Sequence, residues 1–427
     1  MENKVNNDLL ERILSRENMK LALKRVRSNR GRHGVDGMTV DELPEYLATA
    51  WPFIRQELVE GTYVPSAVRR VEIPKPDGGV RLLGIPTVLD RLIQQAISQI
   101  LTPIFEAEFS DHSYGFRPGR RAKEAVETAR GYIEEGYNWV VDIDLEKFFD
   151  RVNHDKLMAR LSRKVADRRV LGLIRKYLES GVMINGIKVS TEEGTPQGGN
   201  LSPLLANIML DDLDKELERR GHRFCRYADD CNIYVKSCRA GKRVKESITR
   251  FIEGYLKLKV NEGKSAVDRP WKRKFLGFSF YHNKERIGVR IHPKSVKRFK
   301  DRIREITNRN RSMNFEERLK RLEQYTAGWI NYFGYADAKS TLQSLDEWVR
   351  RRLRACIWKQ WKRIRTKQEN LVRLGVKQSK AWEWANTRKA YWRIAGSYIL
   401  STTVTNQYLE DSGFKSLLKQ YLVVHQY

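Results

Sequence analysis

Long hydrophobic runs are absent from this chain, and their absence argues against a membrane-spanning helix. No apolar run approaches the roughly 18 residues that such a helix needs. Hydrophobic residues make up 41% of the 427 residues and charged residues 31%, a balance typical of globular proteins. The N-terminal stretch MENKVNNDLLERILSRENMK is rich in acidic residues and has no apolar segment of the signal-peptide type. We therefore expect a cytoplasmic protein with no membrane partner.

Cysteine is also scarce, which argues against a disulfide framework or a structural zinc site. The four cysteines are Cys225, Cys231, Cys238 and Cys356. They form no C-x-x-C pair, and the histidines complete no zinc-binding pattern. We expect four reduced thiols, as is typical of cytosolic proteins.

Acidic residues are few compared with basic ones. The chain has 81 Lys and Arg against 53 Asp and Glu, a net charge of +28. A small domain needs a net charge of only about 2–8 for solubility, so this excess predicts a polyanionic partner. Residues 291–427 alone hold 29 basic and 12 acidic residues, hence +17, together with seven of the ten tryptophans. Nucleic acid is the partner that this pattern favours.

A predicted helix in that basic region combines an apolar stripe with a cationic face. Residues 345–365 read LDEWVRRRLRACIWKQWKRIR, with apolar side chains at helical spacing. The cations expected on the opposite face are Arg350, Arg351, Arg354, Lys359, Lys362 and Arg363. We expect them to bind RNA phosphates, because few acids offset them. The alternative is an ordinary solvated face.

The order of predicted elements indicates an α+β body followed by a helical region. Helical patterns alternate with short strand patterns as far as about residue 290, and the remainder is almost entirely helical. A turn-rich break is expected at 29–39, a hairpin at 66–86 and a second hairpin around 224–236. We therefore predict two domains, residues 1–290 and residues 291–427.

Two adjacent acids interrupt the second hairpin, in FCRYADDCNIYVK. Asp229 and Asp230 alone are ordinary turn residues. A third acid, Asp144, follows the apolar strand pattern of VVDIDLEKFF. Three carboxylates at one point would repel unless cations neutralised them. Mg²⁺ takes oxygen ligands, and a pair of such ions catalyses phosphoryl transfer. The sequence therefore predicts a metal site that faces a polyanionic substrate.

These stretches resemble the motifs of group II intron-encoded reverse transcriptases. YADD (227–230), DLEKFFDRVNHDKL (144–157) and GTPQGGNLSPLLANIML (194–210) are similar to the palm motifs, and IPKPDGGVRLLGIP (73–86) and YGFRPGR (114–120) to the fingers. YTAGWINYFGYAD (325–337) and the Trp- and Arg-rich helix after it resemble the maturase, or thumb, domain. The resemblance spans roughly residues 10–420. It implies a right-hand polymerase with fingers and palm, followed by an all-helical thumb.

The resemblance also implies roles for individual residues. Asp144, Asp229 and Asp230, helped by the backbone carbonyl of Leu145, would bind two Mg²⁺ ions, with Mn²⁺ as a substitute. Lys264 matches a lysine that protonates the pyrophosphate leaving group, although it could equally be a surface lysine. Around the incoming nucleotide, Lys75 and Arg81 are expected to bind the triphosphate. Phe149 is expected to exclude a ribose 2′-OH, and Gln197 to lie beneath the nascent base pair. Arg117 is expected to contact template, nucleotide or RNA backbone.

The function that follows is RNA-directed DNA synthesis, combined with binding of intron RNA that promotes splicing. The implied partners are intron RNA, an RNA template with a DNA or RNA primer, dNTPs and target DNA. No paired-cysteine endonuclease motif is recognisable, which predicts the compact form of the family. Three alternatives stay open: a bacterial reverse transcriptase of a retron, diversity-generating or CRISPR-associated system; an RNA-binding splicing cofactor with a decayed site; and an RNA-templated RNA polymerase.

Overall fold

The chain folds into two compact units, Met1–Pro270 and Trp271–Tyr427. The computed structural model describes residues 8–74, 78–184, 187–189, 193–194, 198–283 and 286–425. Composition alone predicts the domain boundary at residue 291, after which basic residues and tryptophans are more frequent. Backbone contacts place it at residue 271, because the strand pair that follows packs with the helices after it.

The first unit combines helices with two small sheets. Its elements are α1 Leu9–Ile13, α2 Arg16–Ser28, α3 Leu43–Glu60, β1 Val68–Pro74, β2 Val80–Ile85, α4 Val88–Glu106, α5 Ala122–Glu134, β3 Trp139–Ile143, α6 His154–Leu161, α7 Arg168–Glu179, β4 Val182–Ile184, β5 Ile187–Val189, α8 Ser202–Arg219, β6 Arg223–Tyr227, β7 Asp230–Val235, α9 Cys238–Phe251 and β8 Ala266–Asp268. The predicted break at 29–39 and both predicted hairpins are confirmed.

The two sheets have different characters. One has the order β2-β1-β4-β5 and contains the β1–β2 hairpin. The other has the order β6-β7-β3-β8, with every neighbouring pair antiparallel. Strand β3 is buried along most of its length, because α9 packs against this sheet. The central strands β3 and β7 therefore form a rigid platform.

One apolar core joins the helices of the first unit to this second sheet. It includes Ile97 from α4, Leu157 from α6, Met209 from α8 and Ile233 from β7, all fully buried. Burial of such side chains contributes roughly 1.5–3 kcal/mol each. Residues at the ends of β3 and β7 are consequently fixed by the packing behind them.

The second unit is a strand pair followed by helices. Its elements are β9 Phe278–His282, β10 Ile287–Ile291, α10 Pro293–Ile306, α11 Phe315–Phe333, α12 Lys339–Gln360, α13 Ile364–Arg373, α14 Gln378–Ala385, α15 Tyr391–Ala395, α16 Tyr398–Thr403, α17 Asn406–Asp411 and α18 Leu417–His425. Helix α12 is central, because α15 and α18 both pack against it. Buried Asp346 of α12 accepts a hydrogen bond from Leu417 N at 2.8 Å and so caps the start of α18.

Within the described part of the chain, no helix has the length and apolar character needed to cross a membrane.

Candidate active site on the antiparallel sheet

The hairpin of β6 and β7 turns within two residues. Tyr227 pairs with Asp230, which leaves Ala228 and Asp229 as the turn. Ala228 has φ of 57°, in the left-handed region that glycine usually occupies in tight hairpin turns. Such a conformation costs a non-glycine residue roughly 1–2 kcal/mol. It therefore has to be held in place by its surroundings.

Two neighbours hold this turn. Gly115 lies so close that a Cβ atom there would be 2.2 Å from the backbone nitrogen of Ala228. The side chain of Arg226 is fully buried, and its Nη1 donates a hydrogen bond to the carbonyl oxygen of Ala228 at 2.8 Å. Both contacts fix Ala228, the residue before Asp229, and so constrain where that acid lies.

Arg226 is itself held by a buried network. Its Nε donates to Asp214 Oδ1 at 2.7 Å, and its Nη2 also contacts the carboxylate of that residue. The guanidinium further donates to Ser113 Oγ at 2.8 Å and to Asn207 Oδ1 at 3.0 Å. Asp214 has no exposed side-chain surface either. A buried charge is tolerated only when it is paired and hydrogen-bonded, and both conditions are met here.

The thiols beside the turn carry no charge. Burial raises the pKa of Cys231, the neighbour of Asp230, and the charge of Asp214 acts in the same direction. Burial also raises the pKa of Cys225. Both thiols therefore stay protonated at neutral pH and add no negative charge to the hairpin.

Strand pairing brings the third acid to the same place. The register of β3 and β7 pairs Ile143 with Cys231. Asp144 and Asp230 are the next residues along these two strands, and directly opposed positions in an antiparallel pair have Cα atoms about 4.5–5.5 Å apart. The backbone of Asp144 is fixed, since its N–H donates to Ser265 Oγ at 2.9 Å and its carbonyl accepts from Asn261 N at 2.8 Å.

The carbonyl of Leu145 faces away from the strand beside it. Leu145 forms an antiparallel bridge with Val260. The flanking hydrogen bonds join Asn261 to Asp144 and Glu146 to Lys259. In a non-hydrogen-bonded pair of this kind, the backbone N–H and C=O groups of the two paired residues point away from each other. The Leu145 oxygen is therefore directed to the side on which a ligand could use it.

Lys264 lies next to this group of acids. Its Nζ is 3.7 Å from Asp144 Oδ2, and its side chain is 56% exposed. The turn that carries it is tied to Asn261 by two hydrogen bonds from Lys264 N. A cation at this distance balances part of the carboxylate charge.

The donor set suits a hard divalent cation, although the side chains do not form a closed cage. Among the described residues, no three His, Cys, Asp or Glu side chains converge closely enough to hold a metal ion. Carboxylate and carbonyl oxygens are nevertheless the ligands of Mg²⁺, which uses few of them and completes its shell with water and phosphate. Asp144, Asp230 and the Leu145 carbonyl fit that requirement by their backbone positions.

Phe149, five residues after Asp144, is half-buried. It lies in a 3₁₀ turn, Phe148–Asp150, and its ring meets that of Phe148 edge-to-face at 5.1 Å between centroids. Gly194 covers the backbone, since a Cβ there would lie 2.9 Å from the Phe149 carbonyl oxygen. His154 Nε2 is 2.7 Å from the carbonyl oxygen of Gly194. The Phe149 backbone is thereby clamped, while Phe148 belongs to the core.

Part of the predicted nucleotide site lies outside the described residues. Lys75 and Gln197 are among the undescribed positions, and Arg81 is described only by its backbone within β2. Gly198 is described and lies against β2, since a Cβ there would lie 2.6 Å from the carbonyl oxygen of Gly84.

Arg117 has a different role from the predicted contact with template or RNA. Its side chain is 4% exposed and pairs with Glu106 at 2.8 Å. It also donates to the backbone carbonyl of Ser113 at 2.8 Å and to that of Ser110. The guanidinium therefore stabilises the loop that precedes Arg117. That loop includes Ser113, whose side chain accepts a hydrogen bond from Arg226.

Most cations predicted for the basic face of α12 also bind other groups of this chain. Arg350 lies beside Asp346 and Phe414 with only 14% of its side chain exposed. Arg351 donates to the carbonyl oxygen of Trp392 at 2.9 Å, and Arg354 to that of Val404 at 2.7 Å. The predicted phosphate contacts of these three arginines are therefore not supported, because the last helices of the chain cover that face. The outward-facing members of the set are Lys362 and Arg363, which are exposed, and Lys359, which is half-exposed above Tyr391.

The residues that position the turn could not be identified from sequence patterns. Arg226 lies within the apolar strand pattern FCRY, where an isolated charge demands a buried partner. That signal is present, but the partner Asp214 is on another element and could not be named. Ser265, which holds Asp144, has no distinguishing signal in the sequence.

Comparison with known proteins adds two family matches. Residues 73–280 match the family described as "Reverse transcriptase (RNA-dependent DNA polymerase)". Residues 296–375 match "Group II intron, maturase-specific domain".

Individual relatives cover much of the chain. It is 34% identical to Protein YkfC of Escherichia coli (strain K12), over 61% of this chain and 78% of that protein. It is 31% identical to the group II intron-encoded protein LtrA of Lactococcus lactis subsp. cremoris, over 60% of this chain and 54% of LtrA. The chain thus spans about half the length of LtrA. A solved structure titled "Partial Cas6-RT-Cas1--Cas2 complex" is 26% identical over 57% of this chain and 42% of its own, with a TM-score of 0.38.

Proposed function

Since this chain belongs to the group II intron-encoded reverse transcriptases with a maturase domain, we propose that it copies RNA into DNA with two divalent cations bound at Asp144, Asp229 and Asp230. The predicted right-hand polymerase fold and the enzyme class, RNA-directed DNA polymerase, are confirmed by that membership. The maturase match also favours the intron-associated class over retron, diversity-generating or CRISPR-associated enzymes.

One observation supports the metal assignment: β3 pairs with β7 as far as Ile143 and Cys231, the neighbours of Asp144 and Asp230, next to the turn that Arg226 fixes. Bound Mg²⁺ ions would lower the pKa of the attacking 3′-hydroxyl and stabilise the departing pyrophosphate. The chain's own task is to supply oxygen ligands at fixed positions, which the buried network behind the turn makes possible. We include the carbonyl of Leu145 among those ligands.

The remaining roles surround this centre. Lys264 donates a proton to the leaving pyrophosphate, which its exposed Nζ near Asp144 allows. Phe149 excludes a 2′-OH, and the contact of its backbone with Gly194 supports this role by fixing where the side chain begins. Lys75 and Arg81 bind the triphosphate of dNTPs, and Gln197 lies beneath the new base pair.

The biological setting follows from the same membership. We assign fingers and palm to residues 1–290 and the thumb/maturase domain to residues 291–427. The protein acts in the bacterial cytoplasm, where its four free cysteines stay reduced. It binds intron RNA to promote splicing, and it uses a DNA or RNA primer and target DNA during intron mobility.

Primer extension tests this proposal. Full-length cDNA should form from primed RNA, dNTPs and Mg²⁺, and EDTA should stop its synthesis. Asp230→Asn should lower the rate by about three orders of magnitude, because a catalytic metal contributes several kcal/mol and each 1.36 kcal/mol is a factor of ten. Glu262→Gln is the matched control: it removes an exposed carboxylate beside Lys264 and should stay within about twofold of wild type.

The same assay separates metal binding from sugar selection. Phe149→Val should raise incorporation of rNTPs relative to dNTPs, because it opens space beside C2′. Undiminished synthesis by Asp230→Asn would refute the metal site, and an unchanged nucleotide ratio in Phe149→Val would refute the gate.

A further inference from the structure

A second cationic site lies in the second unit, within a pocket of about 420 Å³. The pocket is bounded by the end of α10, the loop after it, α12 and α15. Its principal lining residues are Arg304, Asn308, Arg309, Asn310, Arg352 and Trp392. No described residue that lines it is acidic, and its volume is within the range of roughly 300–1,000 Å³ that is typical of ligand pockets.

The three arginines in this pocket are not equally neutralised. Arg304 pairs with Asp301 on the same helix. Arg352 is half-buried, and its donors go to uncharged oxygens, such as Thr307 Oγ1 at 2.5 Å. Burial lowers the pKa of Arg352, and the nearby Arg304 and Arg309 act in the same direction. Arg309 is exposed and has no acidic partner in the described part of the chain. Like charges this close favour the binding of an anion.

The arginines are also held in position by aromatic rings. The guanidiniums of Arg304 and Arg352 lie 5.6 Å and 5.2 Å from the ring centroid of Trp348, and that of Arg309 lies 4.9 Å from Tyr391. Such cation–π contacts restrict the guanidiniums without removing their charge. The pocket is therefore preorganised for a phosphate group.

One aromatic ring remains available within the pocket. Trp392 is 38% exposed. Its ring is fixed by Arg351, whose guanidinium lies 4.2 Å from the ring centroid and donates to the Trp392 carbonyl. Gly396 makes this stacking possible, because a Cβ there would lie 2.7 Å from the Arg351 guanidinium carbon. Asn308 and Asn310 add amide groups that can both donate and accept hydrogen bonds.

We propose that this pocket binds a single unpaired nucleotide of a folded RNA, with its phosphate on Arg304, Arg309 and Arg352 and its base against Trp392. The combination of concave shape, guanidinium groups, indole and amides matches how proteins recognise bases that are turned out of RNA helices. Paired duplex offers only phosphates to such a pocket, because its bases are stacked inside. The inference rests on the proposed RNA binding by this protein and specifies which RNA feature one site reads.

Competition between RNA hairpins tests the pocket directly. Two labelled hairpins of equal length are used, one fully paired and one with a single-nucleotide bulge, together with a third hairpin whose bulged nucleotide is abasic. The full-length protein should bind the bulged hairpin at least about fivefold more tightly than the paired one, the lower limit for one stacked base. The abasic hairpin should lose most of that preference.

Variants identify the residues responsible. Trp392→Ala and Arg309→Gln should bring the affinity ratio of bulged to paired hairpin close to one, whereas Trp392→Phe should retain most of it. Arg311→Gln is the matched control, since it removes the same charge from an exposed side chain of the same loop outside the pocket lining. It should leave the ratio unchanged. Thermal melting confirms folding, and Arg309→Gln carries the test alone if Trp392→Ala is unstable.

Each result has one meaning. Wild-type protein that binds both hairpins equally would overturn the pocket and leave the proposed function intact. Wild-type protein that binds neither would count against the proposed RNA binding itself. A preference that survives in both Arg309→Gln and Trp392→Ala, or in Arg309→Gln where Trp392→Ala is unstable, would place the bulge outside this pocket.

Discussion

At the scale of single residues, Arg226 determines where the acids of the hairpin lie. It joins Asp214 behind the sheet to the carbonyl of Ala228 in the turn, and both side chains are fully buried. A lysine could keep the charge but not the planar fork that reaches Asp214, Asn207 and Ser113 together. Arg226 is therefore a positioning residue rather than a ligand.

Removal of Arg226 alone should be far worse than removal of the pair. Arg226→Met should cost about 3–5 kcal/mol of unfolding free energy, because it leaves the Asp214 charge buried and unpaired. Arg226→Met with Asp214→Leu should recover much of that stability, yet cDNA synthesis should stay low because Ala228 no longer has its donor. Urea unfolding and primer extension measure the two effects. Equal stability of the single and double variants would contradict the pairing.

The strand ends that carry the acids could be predicted from the sequence, but their supports could not. Asp144, Asp229 and Asp230 each end or interrupt a strand pattern, and the β3–β7 register brings the ends of those strands together. Arg226 and Ser265 act through partners that are distant in the sequence, Asp214 and Asp144. Such pairings depend on tertiary packing, which periodicity does not encode.

At the scale of elements, α12 shows how a helix pattern can be misjudged. The sequence has one apolar stripe and a basic face, which predicts a helix with one solvated side. In the structure α15 and α18 cover part of the basic face, and burial lowers the pKa of Arg354 there. The long side chains of arginine fill this space, while their guanidiniums bind carbonyl oxygens at the ends of short helices.

The inner and outer cations of this region should therefore respond differently to substitution. Arg351→Gln with Arg354→Gln should lower the melting temperature, because the carbonyls of Trp392 and Val404 would no longer have their donors. Lys362→Gln with Arg363→Gln should leave the melting temperature alone. It should reduce the slope of the logarithm of RNA affinity against the logarithm of salt concentration by roughly 0.7–0.9 for each phosphate that is no longer bound. A lowered slope in the first pair with unchanged stability would show that the inner arginines bind phosphate after all.

At the scale of the whole molecule, the two units divide the chemistry. The acids lie in the first unit, whereas the net +17 of residues 291–427 lies in the second. A maturase need only bind the folded form of an intron RNA better than its unfolded forms, because the RNA performs the splicing reaction itself. Copying and splicing should therefore be separable by substitution.

Asp229→Asn with Asp230→Asn should abolish cDNA synthesis and still promote splicing of the cognate group II intron. Under the proposed function these acids hold metal only for polymerisation, and their removal also reduces repulsion of RNA. A splicing time course at moderate Mg²⁺, run beside primer extension, measures both activities. Simultaneous loss of both in a folded double variant would show that the acids serve splicing as well.

The central claim is that Asp144, Asp229 and Asp230 hold the catalytic cations together, and metal-directed cleavage of the polypeptide tests it most directly. Fe²⁺ can replace Mg²⁺ at oxygen-ligand sites, and with ascorbate and peroxide it cleaves the backbone beside its binding site. We expect cuts near Asp144 and near the turn of Ala228 and Asp229, suppressed by excess Mg²⁺ and absent in Asp230→Asn. Cuts confined to other segments, or cuts at the turn that persist in Asp230→Asn, would contradict the account.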